Sequence, residues 1–212
     1  MHLLITGANR GIGKALADQY RADGHNVTGT ARDNSAEIQL DVSDNAHHQA
    51  MARQLEGQPL DLLICNAGVY LDKGQGLDGY PADMWAQSFA TNVTGVFLTI
   101  QALLPNLQAA GGKIAILSSQ MASHSRAPGG SYVYRASKAA ALNLGRNLAT
   151  DLRVDGIAVG IYHPGWVQTD MGGSSADIHV DEAVSGLIKR FDALSLDNTG
   201  CFETYDGQPH AY

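Results

Sequence analysis

The stretch from Leu3 to Leu16 constrains the fold more than any other part of the chain. Leu3-Leu4-Ile5 is a short apolar run of strand character. Thr6-Gly7-Ala8-Asn9-Arg10-Gly11-Ile12-Gly13 is a glycine-spaced turn, after which Ile12, Leu16 and Tyr20 recur at helical spacing. A chain that passes from strand through glycines into helix is building the first half of a βαβ unit. The glycines let a backbone approach a pyrophosphate closely, and the helix N-terminus offers free N–H groups to its charge. The spacing, Gly-x-x-x-Gly-x-Gly, is a variant of the commoner dinucleotide fingerprint. An ordinary strand-to-helix turn can carry glycines too, so the flanking strand and helix are what give the motif weight. Gly7, Asn9, Arg10, Gly11, Ile12 and Gly13 are the candidate cofactor-loop residues.

The rest of the chain continues the alternation. Asn26 to Asp33 is a second strand whose polar end lies near the glycine loop. An acidic residue there suits the ribose of NAD, and an arginine suits the 2′-phosphate of NADP. Both Arg32 and Asp33 are available, and Arg10 inside the loop tips the choice to NADP. Glu37 to Val42 reads as a third strand, joined by a link too short for a crossover helix. Ser43 is a candidate N-cap for a helix through Met51 and Leu55, with His47 and His48 expected in solvent. Leu60 to Gly68 is a buried strand ending in a small-residue turn. Lys73 to Gly79 reads as a surface loop. A long helix follows Pro81, with Trp85, Phe89, Val93, Val96 and Ile100 expected in the core and the polar Asn92 out of pattern. Gly112 to Ser119 and Ile157 to Tyr162 are further strands. His163 to Gly173 has the look of a mobile loop. Asp181 caps a last helix, and Gly200-Cys201-Phe202 closes an edge. This predicts a single α/β domain over residues 1–212, a doubly wound parallel sheet of about seven strands with helices on both faces.

Composition narrows the partners. Apolar residues make up 44% and charged residues 17%, as in an ordinary globule. The net charge of −7, with no basic cluster, argues against nucleic acid and anionic membranes. Cys65 and Cys201 have no metal or redox spacing, so no metal site is expected. With no leader and no apolar run approaching membrane-spanning length, a cytoplasmic location is expected.

Tyr134-Arg135-Ala136-Ser137-Lys138 opens an alanine-rich run that reads as a helix. Residues four apart share a helix face, so the Tyr134 phenol and the Lys138 ammonium are neighbours. A phenol normally titrates near pH ~10. A cation beside it is expected to lower that value and make the pair a proton-transfer device. Ser119, at the carboxyl end of its strand, is placed where open parallel sheets bind ligands.

Taken together these motifs resemble the short-chain dehydrogenase/reductase family over essentially the whole chain. Thr6 to Gly13 looks like its cofactor loop, Asp41-Val42 like its adenine-contacting pair, and Asn66-Ala67-Gly68 like the turn beside the adenosine ribose. Asn92, Ser119, Tyr134 and Lys138 match its catalytic tetrad. Pro164, Gly165, Val167 and Thr169 resemble its nicotinamide-contacting segment. Tyr132 to Lys138, His163 to Gly173 and Tyr205-Asp206-Gly207 look most like the C-factor-like, sniffer-like carbonyl reductase branch. Two departures stand out: the shortened connection after the second strand, and a long interval from Ser119 to Tyr134, which leaves Ser118 or Ser119 as the catalytic hydroxyl. The resemblance implies an NADPH-dependent reductase of a small-molecule carbonyl (aldehyde, ketone or quinone). In that scheme Tyr134 gives the proton, Ser119 holds the carbonyl, Lys138 lowers the phenol pKa and holds the nicotinamide ribose, and Asn92 fixes a helix bend and a proton-relaying water. NAD(H) is the lesser alternative as cofactor, and an NADP(H)-bound regulatory protein with little turnover is the alternative function. A homo-oligomer is left open.

Overall fold

Leu3, Leu4 and Ile5 point alternately to opposite sides of one sheet, and that alternation sets the layers. The computed structural model describes residues 1–212. Strands β1 (His2–Ile5), β2 (Asn26–Ala31), β3 (Ile38–Gln39), β4 (Leu62–Cys65), β5 (Lys113–Leu117), β6 (Ala158–His163) and β7 (Phe202–Thr204) form a seven-stranded sheet in the order β3-β2-β1-β4-β5-β6-β7. Every pairing is parallel. The helices are α1 (Gly11–Ala22), α2 (Asn45–Gln54), α3 (Ala82–Phe89), α4 (Gly95–Ala110), α5 (Tyr132–Asp151) and α6 (Val180–Ala193). On one face Leu4, Leu63, Ile114 and Ile116 pack with Met51 of α2 and Ile100 and Leu103 of α4. On the other, Leu3, Ile5, Ile64 and Leu117 meet Leu16 and Tyr20 of α1 and Leu187 and Phe191 of α6. The chain moves outward from β1 to β3, then returns to place β4 on the other side of β1. The carboxyl ends of β1 and β4 therefore border the crevice where such sheets bind ligands.

Several local expectations are corrected. The third strand is only Ile38–Gln39, not the run Glu37 to Val42. Without a crossover helix it reaches only the end of β2, pairing Ile38 with Thr30 and Gln39 with Ala31. Glu37 turns aside, accepting from the Gly29 N–H at 2.8 Å and pairing with Arg21. Asp44, not Ser43, caps α2 by accepting from the Ala46 N–H at 2.8 Å. His48 is buried rather than solvated, its ring nitrogens 3.0 Å from the Asp44 carbonyl and 3.1 Å from the Thr99 hydroxyl. His47 accepts from the Asp41 N–H.

The helix after Pro81 departs most. A π-turn, Ala90–Thr94, joins α3 to α4 into one rod of 29 residues, whose most apolar 18-residue stretch has a mean hydropathy of 1.2. An apolar helix of spanning length therefore exists, contrary to expectation. Its inner side carries the core residues Val96, Ile100, Leu103 and Leu107. The extra residue in the π-turn rotates everything before it relative to everything after it. The 3.6-residue pattern thus fails across the turn. Trp85 is 37% exposed, whereas Asn92 turns inward to 1%.

Candidate active site

The glycine loop is a cradle that side chains would fill. Gly7 and Gly11 have φ of 67° and 54°, left-handed values that suit glycine. A Cβ on Gly13 would lie 2.2 Å from the Gly7 carbonyl oxygen. Arg10 stands at the N-cap of α1 and makes no side-chain cap bond, so the first N–H groups of the helix are left to a ligand. Asn66 spends its side chain on the loop itself, donating to the carbonyls of Thr6 at 2.8 Å and Gly7 at 3.0 Å. The Thr6 hydroxyl accepts in return from the N–H groups of Asn66 and Ala67, both at 3.0 Å. Asn9 reaches from the loop to Ser35 beyond β2. This geometry fits a dinucleotide pyrophosphate. Asp41 is tied to Ser43, and Val42 packs its side chain into the core. Arg32 is exposed at the end of β2. Arg10 does not turn toward it but pairs with Asp170 at 3.5 Å.

The tetrad candidates converge beside this cradle. A Cβ on Gly68 would lie 3.2 Å from Asn92 Oδ1 and 3.4 Å from Lys138 Nζ. Asn92 accepts from the Val69 N–H at 2.8 Å and donates to the Val69 carbonyl at 2.9 Å and to Ser137 Oγ at 3.0 Å. Lys138 Nζ donates to the Leu117 carbonyl at 2.9 Å and lies 5.7 Å from the centre of the Tyr134 ring. The two serines at the end of β5 part company. Ser118 donates to the Lys138 carbonyl, whereas the Ser119 hydroxyl accepts from the Met121 N–H at 3.1 Å and is the polar neighbour that favours the Tyr134 phenolate.

The electrostatics differ from expectation. Burial pushes the Tyr134 phenol up to about 12, against the lowering influence of the Ser119 hydroxyl and with help from Tyr70 and Asp72. Burial pulls Lys138 down to about 8. The ammonium does not lower the phenol in this state, because desolvation outweighs any cation at that distance.

The segment after β6 runs beside the glycine loop. Pro164 and Gly165 follow β6, and Val167 is buried and bridges to Ile178. Thr169 lies against Gly11, 3.6 Å from where a Cβ would stand. The loop is braced rather than loose: Trp166 Nε1 donates to the Gly172 carbonyl, and Gln168 Nε2 to that of Ala176. Lys73 reaches across to the Met171 carbonyl. Sequence reasoning passed over two residues here. Tyr70 stacks on Tyr134 with ring centres 4.2 Å apart, and Asp72 accepts from the Tyr134 N–H at 3.3 Å. The one signal was a lone carboxylate directly after the run Val69-Tyr70-Leu71.

Comparison with known proteins identifies relatives of this chain and of its fold. The short chain dehydrogenase family profile matches residues 1–178. C-signal of Myxococcus xanthus is 39% identical over 166 residues, covering 75% of this chain and 96% of that protein. The NADPH-bound carbonyl reductase from chicken fatty liver superposes with a TM-score of 0.91 at 32% identity, covering 100% of this chain and 98% of that one. Carbonyl reductase Sniffer of D. melanogaster superposes with a TM-score of 0.93 at 27% identity, covering 100% and 99%. The chain belongs to the short-chain dehydrogenase/reductase family, in its sniffer-like and C-factor-like branch.

Proposed function

We propose that residues 1–212 form one NADPH-dependent carbonyl reductase unit, acting on a small aldehyde, ketone or quinone. The observation that carries this reading is the convergence of Tyr134, Lys138 and Asn92 beside the glycine cradle, with Lys138 Nζ 5.7 Å from the centre of the Tyr134 ring. The chicken carbonyl reductase described as NADPH-bound supports the choice of cofactor. Gly7, Gly11, Ile12, Gly13 and the open start of α1 would hold the pyrophosphate. Asp41, Val42 and the Asn66-Ala67-Gly68 turn would border the adenosine. Arg32 would meet the 2′-phosphate. Arg10, 67% exposed and held only by a surface ion pair, can exchange Asp170 for that phosphate. Pro164, Gly165, Val167 and Thr169 would line the nicotinamide. Bound NADPH supplies the hydride.

The chain's own residues handle the oxygen and the proton. Ser119 and Tyr134 donate two O–H groups to the substrate carbonyl, where negative charge builds during reduction. With its pKa raised, Tyr134 keeps its proton at neutral pH and gives it to that oxygen from Oη. Lys138 retains an ammonium at pH 7, which orients the nicotinamide ribose and favours the phenolate left behind. Asn92 fixes the bend at the π-turn and holds Val69 and Ser137 in place.

The test is oxidation of NADPH, followed against a panel of aldehydes, ketones, quinones and diketones. Turnover with NADPH exceeding that with NADH is expected. Replacing Arg10 and Arg32 with alanine should raise KM for NADPH and spare NADH. A wild type that prefers NADH removes the arginine assignment, and one that binds NADPH without oxidising it favours a regulatory protein instead. The likeness to a protein named C-signal keeps that second reading in view.

A further inference from the structure

Asp72 is given no contact with substrate or cofactor in the chemistry above, yet it is 0% exposed. It forms no ion pair with any lysine, arginine or histidine. A buried carboxylate without a counter-charge is costly unless hydrogen bonds replace its water. Here the replacement comes from the start of α5. The Val133 N–H donates to Asp72 Oδ2 at 2.9 Å, and the Tyr134 N–H lies 3.3 Å from both oxygens. Helix N-termini favour such a charge.

Helix α5 has no cap of its own. Ser131, at its N-cap, makes no side-chain cap bond and holds φ at 49°, the one non-glycine residue in the left-handed region. Its hydroxyl is bonded instead to Tyr70 Oη at 2.6 Å. Serine is itself a good cap, so a helix needing only stability would be closed locally. Instead the cap comes from 61 residues away in sequence. The segment that delivers it is tied to the site at both ends. Val69 is clasped by Asn92, Asn92 donates to Ser137, and Ser137 Oγ donates to the Tyr134 carbonyl at 2.8 Å. Tyr70, between Val69 and Asp72, stacks on the Tyr134 ring at 19°. Tyr134 is thus held by its N–H, its carbonyl and its ring face in one closed circuit.

We propose that Asp72 is a positioning residue for Tyr134: its carboxylate is the missing cap of α5, and it sets the height and rotation at which the phenol meets the carbonyl oxygen. The proposal rests on the reading of Tyr134 as proton donor.

Two measurements test it, on wild type, Asp72→Asn and Asp72→Ala. The first is steady-state reduction of 4-nitrobenzaldehyde with NADPH, together with NADPH affinity by calorimetry. Asp72→Ala should lower kcat roughly tenfold to hundredfold, the scale of a small misplacement of a reacting group. NADPH affinity should stay within about twofold, since the cofactor cradle is elsewhere. Asp72→Asn keeps one acceptor oxygen and should recover much of kcat. The second is NMR of cofactor-free protein with ring-labelled tyrosine, the Tyr134 signal being assigned with Tyr134→Phe. The Tyr134 ring signal and the Val133 and Tyr134 amide signals should move in both Asp72 variants. Unchanged kcat in a folded Asp72→Ala protein overturns the proposal. So does a kcat loss matched by lost NADPH affinity, or an unmoved Tyr134 signal. If Asp72→Ala does not fold, Asp72→Asn decides by the same signals. A wild type that never reduces the aldehyde counts against the functional reading, while the NMR still judges the placement.

Discussion

A phenol pushed up to about 12 is a weak acid but a dependable store of a proton. At neutral pH it stays protonated and can donate only to something more basic, such as the oxygen of a carbonyl being reduced. Lys138, pulled down to about 8, sits near the other edge of the usable range. Tyr134→Phe deletes one oxygen and leaves α5 and the stack on Tyr70 in place. Turnover should fall by roughly ~10²–10⁴-fold, the loss expected of a missing general acid. NADPH affinity should barely change. Lys138→Met should lose turnover and also weaken NADPH binding. In the wild type, NADPH affinity should decline as pH rises through about 8, where the ammonium is discharged. That dependence should be missing from Lys138→Met, as read by calorimetry across pH 6 to 10. A Tyr134→Phe protein with near-normal reduction would take the phenol out of the mechanism.

The strand-turn-helix element from β1 to α1 depends on Gly13 for a steric reason that can be isolated. An added Cβ would stand 2.2 Å from the Gly7 oxygen and 2.4 Å from Asn66 Nδ2. Gly13→Ala must therefore push α1 off the loop and break the Asn66 buttress. A melting point several degrees lower and NADPH affinity reduced at least tenfold are expected. Gly24, with φ of 82° and nothing within 4 Å of its Cβ position, is the control. Gly24→Ala should cost only the left-handed strain, about 1–2 kcal/mol, and leave NADPH affinity alone. Equal effects on affinity would mean that the cradle geometry is not what binds. This element was legible in the sequence because strand, glycines and helix are contiguous there. The Tyr134–Lys138 spacing and Ser119 at a strand end were legible for the same reason. Other features were not, because they depend on distant chain. The π-turn at Ala90–Thr94 breaks the periodicity that assigned Trp85 to the core, leaving Trp85 outward and Asn92 inward. Asp72 meets its partners only after β4 and α5 are brought together. The direction of the Tyr134 shift was missed because it depends on burial, and spacing along a helix says nothing of burial.

At the scale of the whole molecule, two packed faces on one parallel sheet leave the strand ends to carry polar groups into the interior. His163, the last residue of β6, is the sharpest case. It is 8% exposed, its Nδ1 has no hydrogen-bond partner, and it leads directly into Pro164 and Gly165. Burial lowers it to about 4, with His210 and Arg126 adding repulsion against Asp206. In the unfolded chain the same imidazole titrates near ~6.5. As pH falls below that value the unfolded state takes up the proton first, and the folded state follows only near 4. Stability must therefore drop with acidification across this window, by at most about 3 kcal/mol for the full shift. His48, buried under α4, is lowered by burial too and acts with the same sign. Urea unfolding at pH 7 and pH 4.5 checks this. The wild type should lose more stability between the two conditions than His163→Phe, which keeps a ring and removes both the titrating group and the unpartnered nitrogen. The variant should gain on the wild type at pH 4.5, by an amount approaching the His163 share of the shift. If the two proteins lose the same stability, the end of β6 admits water or a counter-charge to His163, and burial is not what lowers its imidazole in the folded protein.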